Sequence, residues 1–269
     1  MSVKPTNPVV NHSHPLARGL VGAWAFEDGG GSVLRDVAGR GHNGTLTNMD
    51  PATDWVVSQH GGALDFDGSD DYVSVDSPLD WGGAVSFYCR AMMTAQGDGS
   101  GSGHDIFLLE VVSGSDMLIF YFNDGVELRL LSINTGSIDA QYTTALDDGK
   151  FHDLAFVVQP GDYARVYIDG VMAVEDSTPG TMSYSSTPTV FFGGEDDVDR
   201  GWDGQISDIR LWNRALSAGE IAGMYAGDDL YEPAIDTFER YYHSNVSAGQ
   251  PAFKRWGQRT NQPIFGRGF

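Results

Sequence analysis

From residue 20 onward, short apolar runs recur with turn residues between them. LVGAWAF (20–26), YVSV (72–75), AVSFYC (84–89), DIFLLEVV (105–112) and MLIFYF (117–122) are followed by VELRLLSI (126–133), FHDLAFVV (151–158), ARVYIDG (164–170), PTVFFGG (188–194) and QISDIRLW (205–212). Runs of roughly four to eight residues, rich in β-branched and aromatic side chains and punctuated by Gly and Asp, predict strands, and their regular spacing predicts an all-β sandwich of two antiparallel sheets. Asn123-Asp124-Gly125 fits a hairpin turn. Trp24, Phe66, Phe156 and Trp212 fall at strand positions that face inward. One helix is expected after the last long run, where Ser217-Ala218-Gly219-Glu220 precedes IAGMY as a capping box. The stretch QGDGSGSGHD (96–105) reads as a flexible loop tip, with no Lys to make it a phosphate loop.

Charge divides the chain into three. It carries 37 acidic against 16 basic residues over 269 positions, a net charge of −21. The last stretch, AIDTFERYYHSNVSAGQPAFKRWGQRTNQPIFGRGF (234–269), carries +3, and residues 1–18 carry +2 from Lys4 and Arg18. The organisation expected is an N-terminal arm at 1–18, a strongly acidic sandwich at 19–233, and a basic aromatic C-terminal arm at 234–269. In the C-terminal arm, Tyr241, Tyr242, Phe253, Trp256, Phe265 and Phe269 offer apolar anchors, and Lys254, Arg255, Arg259 and Arg267 offer charge for docking on an acidic neighbour. The acidic body repels phosphate, which disfavours nucleic acid as its partner.

No run approaches the roughly 18 consecutive apolar residues that span a bilayer, so membrane insertion is not expected. The start shows no apolar leader segment, which points to synthesis and folding in a cytoplasm. The single Cys89 excludes an internal disulfide framework and sits in an apolar run as a buried thiol.

The chemistry-bearing candidates are few. Glu195-Asp196-Asp197-Val198-Asp199 approaches the alternating carboxylates of a retaining glycanase, but it lies between Gly193-Gly194 and Gly201 and reads as an acidic loop. No Gly-x-Ser-x-Gly elbow is present, and the His residues lack metal-ligand spacing. No catalytic residue is assigned, and an enzyme is not expected. Trp55, Trp81, Tyr142, Tyr184 and Trp202 lie in or near loops and are the aromatic candidates for a sugar platform, with core or rim packing as the alternative.

Three stretches together resemble the laminin G-like, concanavalin A-like jelly-roll family. They are GLVGAWAFEDGGGSVLRDVAGRGHNGTLTN (19–48), GGALDFDGSDDYVSV (61–75), and the region from FHDLAFVV through VYIDG to DGQISDIRLWNRALSAGEIAGMY (151–225). Tyr88-Cys89-Arg90 departs from the family pattern, which usually places a Trp there. The resemblance implies a jelly roll with one short helix near its end. It also implies a calcium ion held by Asp36 and Asp208, with Glu27 as a weaker match and carbonyls near Asn43 completing the shell.

Proteins of this shape encoded by phages and prophages suggest a non-enzymatic structural and adhesion protein of a larger assembly. A bacteriophage virion is the leading expectation, as a capsid decoration or tail-associated subunit that is made in the host cytoplasm. Its partners would be other virion subunits, including copies of itself, with a host-surface glycan as a further partner. The alternative is a soluble or surface carbohydrate-binding lectin module, cytoplasmic or exported without a recognisable leader. A glycan hydrolase comes third.

Overall fold

The computed structural model describes residues 4–5, 7–76, 83–94, 106–123, 127–184, 188–194 and 201–234. They form two eight-stranded arrays, antiparallel throughout, as the jelly-roll expectation requires. The first sheet runs β12 (Asp139–Thr143), β11 (Glu127–Ile133), β10 (Asp116–Asn123), β9 (Ile106–Ser113), β16 (Thr189–Phe192), β7 (Tyr72–Asp76), β4 (Gly44–Thr47) and β3 (Val33–Leu34). The second runs β15 (Val171–Asp176), β14 (Tyr163–Ile168), β13 (Phe151–Gln159), β8 (Val85–Met93), β17 (Asp203–Trp212), β6 (Gly61–Asp67) and β5 (Trp55–Ser58), with β2 (Leu20–Trp24) also paired to β17. Every apolar run singled out in the sequence forms or overlaps a strand, whereas the short edge elements are not signalled by such runs. β10 and β11 pair as a hairpin from Asn123–Glu127 outward, though its turn lies outside the described residues.

The inner faces enclose one large core, in which Phe87 stacks on Phe156 at 5.4 Å and both meet Phe120 edge-on. Trp24 and Phe66 face this core as their positions predict. Trp212 does not. It is fully buried in a second cluster on the outer face of the second sheet, with Tyr88, Tyr167, Leu216, Ile221 and Met224. There Trp212 Nε1 donates to the Leu16 carbonyl at 2.7 Å.

That outer cluster is covered by the α-helix α1 (Ala218–Ala226) and by a two-stranded ribbon of β1 (Pro8–Val10) and β18 (Tyr231–Pro233). The helix begins with the capping box read from the sequence. Ser217 Oγ accepts from the Glu220 amide at 3.2 Å, and the Glu220 carboxylate accepts from the Ser217 amide at 2.9 Å. Residues 4–18 therefore differ from the free arm expected of them. Lys4 and Leu16 are buried, β1 pairs with β18, and the Arg214 guanidinium reaches the Arg18 carbonyl at 2.7 Å. The expectation failed because the segment is too short and polar to show strand periodicity, while three paired residues and two buried anchors suffice to dock it. The compact unit extends to Ala234, and the remainder of the basic tail, with all its proposed anchors, lies outside the described residues.

Strand β17 changes neighbours along its length. It pairs with β8 on one side throughout, and on the other with β6 over Asp203–Ile206 and then with β2 over Ile209–Trp212. The register slips between Ile206 and Asp208. This bulge lets Ile206 and Ile209 both face the core, and it leaves Ser207 at the point where the ladder switches partners.

Candidate functional site

The segment after β2 builds a cleft lined by charged, aromatic and apolar groups. Phe26 is buried yet adopts a left-handed backbone, with φ of 57°. Such a conformation in a bulky residue costs on the order of 1–3 kcal/mol and persists only where its surroundings impose it. Beside it lie two cavities of about 270 and 350 Å³, both of which Phe26 and Glu27 line.

The larger cavity is walled by Trp55, Val56 and Val57 of β5 and by Gly61 and Gly62 of β6. The Trp55 indole is half-buried and fixed by donation from Nε1 to the Gly31 carbonyl at 2.8 Å. Val57 projects into solvent, 92% exposed. Glu27 Oε1 accepts from the Gly62 amide at 2.8 Å and lies 3.8 Å from the Lys4 ammonium. Position 62 must be glycine, since a Cβ there would stand 2.1 Å from the Phe26 carbonyl oxygen. The smaller cavity adds Asp28, Arg35 and Asp36. Arg35 Nε pairs with Asp28 at 3.3 Å while the guanidinium stays largely exposed.

The residues assigned to calcium do not assemble a cation shell. Asp36 Oδ1 accepts from the amides of Ala23 and Ala38 at 3.1 and 2.9 Å, and Oδ2 from those of Arg40 and His42 at 3.0 and 3.2 Å. Asn43 Oδ1 accepts from the Asp36 amide at 3.0 Å. Four converging N–H donors present positive charge where a cation would sit, so Asp36 organises the 36–43 loop itself.

Asp208, fully buried, pairs with Arg210 at 2.5 Å and accepts from the Tyr231 hydroxyl at 2.8 Å. Burial opposes the Arg210 charge, yet Asp208 and Asp229 beside it hold the guanidinium firmly protonated. Among the described residues, the carboxylates that do converge are Asp67, Asp70 and Asp71, with oxygens within 4.8 Å of one another, the donor chemistry of a hard cation. Burial and then its acidic neighbours push the Asp71 carboxyl up to about 6, although the Asp67 amide it accepts from works in the other direction.

Among the described aromatic sugar candidates, only Trp55 joins the cleft. Trp202 is buried beside Phe122 at 6.2 Å, and Tyr184 packs half-buried against the core with its hydroxyl 3.9 Å from Met182 Sδ; both are packing residues. Tyr142 stands exposed on edge strand β12 of the opposite sheet, and Trp81 lies outside the described residues, as does the acidic run 195–199. Sequence reasoning overlooked Asp28, Arg35 and Lys4. Gly29-Gly30-Gly31 after paired acids hints at an open loop, but nothing local signals the left-handed Phe26.

A profile of the concanavalin A-like lectin/glucanases superfamily matches residues 67–222, more than half of the chain. Domain 4 of the extracellular arabinanase AbnA from Geobacillus stearothermophilus, solved with arabinotriose, superposes with a TM-score of 0.61 at 16% identity, over 77% of this chain and 98% of that domain. The binding domain of Paraclostridial Mosquitocidal Protein 1 superposes at 0.61 with 13% identity over 78% of this chain and 52% of its own. Trypanosoma rangeli sialidase superposes at 0.57 with 17% identity over 79% of this chain and 34% of its own. The chain thus spans about half of the toxin domain and a third of the sialidase. At these identities the likeness is one of fold. No curated protein sequence matches the chain.

Proposed function

Given that the chain belongs to the concanavalin A-like lectin/glucanase superfamily, we propose that it is a non-enzymatic carbohydrate-binding module whose ligand lies across the cleft beside Trp55. The observation that carries this reading is a fixed indole that lines one cavity together with Glu27, while Glu27 also lines the neighbouring cavity that holds Asp28 and Arg35. A pyranose presents an apolar C–H face and a rim of hydroxyls. The indole suits the face, while carboxylates and a guanidinium supply acceptors and donors for the rim. Because Gly31 already anchors the indole, little side-chain entropy is lost on binding. The arabinanase domain bound to arabinotriose has the same fold, which lends support to a sugar oligomer as ligand.

Screening the full-length chain against a glycan array, followed by calorimetry on the hits, tests the reading. Micromolar affinity that falls at least about tenfold in Trp55→Ala, with the melting temperature nearly unchanged, is expected. Undiminished affinity in that variant would place the ligand elsewhere. The virion reading rests on the contrast between a basic tail and an acidic body. Oligomerisation of the full-length chain without glycan binding would favour it.

A further inference from the structure

We propose that the gap where β17 changes partners is a binding site for a primary ammonium, filled from within the chain by Lys4. The Lys4 side chain is completely buried, and its Nζ donates to three main-chain carbonyls, those of Ala25, Gly62 and Ser207. The Gly62 contact is 3.0 Å.

These carbonyls belong to three separate segments, following β2, in β6 and at the β17 bulge, and they converge only because the ladder passes from β6 to β2 at that point. A bulge residue carries a carbonyl released from regular pairing, and a buried carbonyl without a donor is costly. The ammonium has three N–H bonds and no acceptor capacity, so it satisfies three such oxygens at once. A guanidinium, with its planar fork of five donors, does not match this arrangement.

The charges facing Lys4 divide evenly. Asp208 on β17 and Glu27 after β2 attract it, whereas Arg210 on β17 and Arg90 on β8 repel it. Burial lowers its pKa to about 8 against the pull of the two carboxylates, which leaves it charged at neutral pH. The docked ammonium, together with the adjacent three-residue pairing of β1 with β18, fastens the N-terminal segment to the sandwich.

Lys4→Ala deletes three methylenes and the ammonium, the atoms of one propylammonium ion. At pH 7 the full-length variant is expected to melt roughly 5 °C or more below the native chain. Titrated propylammonium chloride should then restore the melting temperature with saturation, while tetramethylammonium chloride at equal ionic strength should not. An unchanged melting temperature, or equal recovery with both salts, overturns the proposal. Should Lys4→Ala not fold, Lys4→Met keeps the hydrocarbon length without the charge. It is expected to melt below the native chain and to ignore propylammonium, and native-like melting overturns the proposal in that case too.

Discussion

The two faces of the central strands β8, β13 and β17 differ in chemistry at equal depth, the inner one wholly apolar and the outer one mixing buried charges with apolar side chains. Inward, Phe87, Cys89, Leu154, Phe156, Ile209 and Leu211 form hydrocarbon contacts, and burial raises the Cys89 thiol pKa well above its ordinary value, which leaves it inert. Outward, Arg90, Asp153, Asp208 and Arg210 are no more than 4% exposed. Arg90 pairs with Asp153 through two hydrogen bonds, 2.6 and 3.0 Å, and donates to the Tyr88 hydroxyl at 3.0 Å. Arg210 spans Asp208 and Asp229 and lies against the rings of Tyr88 and Tyr231. An alternating strand thus buries both its faces here, because the β1–β18 ribbon and α1 close over the outer one, where these charged groups lie beside the apolar cluster of Tyr88 and Trp212. A covered polar face is stable only when each charge meets a partner, since desolvation would otherwise dominate.

The largest effects should come from breaking each face at its centre. Asp208→Ala leaves Arg210 with less compensation and Tyr231 without its acceptor, and is expected to cost about 3–5 kcal/mol in denaturant unfolding. Phe156→Ala should cost a similar amount, about 3–5 kcal/mol, through lost transfer energy and a cavity. The faces differ in how they respond to paired replacement. Arg90→Met combined with Asp153→Leu should cost less than either change alone, because it removes both charges together. If the double variant loses the sum of the two single losses, the outer face is not a coupled layer of charge.

A smaller effect is expected at the loop beside this layer. Asp36→Ala strips the acceptor from four amides and should lower stability by about 2–3 kcal/mol. The loss should be the same in millimolar calcium and after chelation. A melting temperature that rises with calcium in the native chain and not in Asp36→Ala would restore the cation reading of this residue.

The remaining effect concerns pH. With its native pKa raised to about 6 from an ordinary 3.8, Asp71 binds its proton more tightly when folded. Its contribution is therefore fully present below about pH 4 and lost as pH rises through 6, an amount on the order of 3 kcal/mol. Asp71→Asn should flatten that part of the stability profile, as followed by thermal melts from pH 4 to 7. An unchanged profile would mean that the carboxyl titrates in its ordinary range.

How much of this was legible in the sequence depended on range. Period-two runs marked the long strands because burial of one face writes itself into neighbouring residues, and Ser217 with Glu220 marked the helix start because a capping box spans four positions. The quoted family stretches pointed to the jelly roll. Among the site residues, Trp55 and Glu27 were named, but for separate purposes, and only the fold sets them on one cleft.

What remained hidden needed partners far away along the chain. Arg90, Asp153, Asp208 and Arg210 look like solvent-facing alternates of their strands, and no local pattern tells a wet polar face from a covered one. Lys4 reads as a charge on a loose arm, whereas the carbonyls that receive it lie 21, 58 and 203 residues away. Composition and alternation by themselves determined that this chain is an acidic sandwich of antiparallel strands, since those follow from each residue's own polarity and its immediate neighbours. Which polar groups are buried, which carboxylates hold backbone and which line a cleft were decided only by the tertiary structure, because desolvation and hydrogen-bond partners depend on what the fold brings into contact.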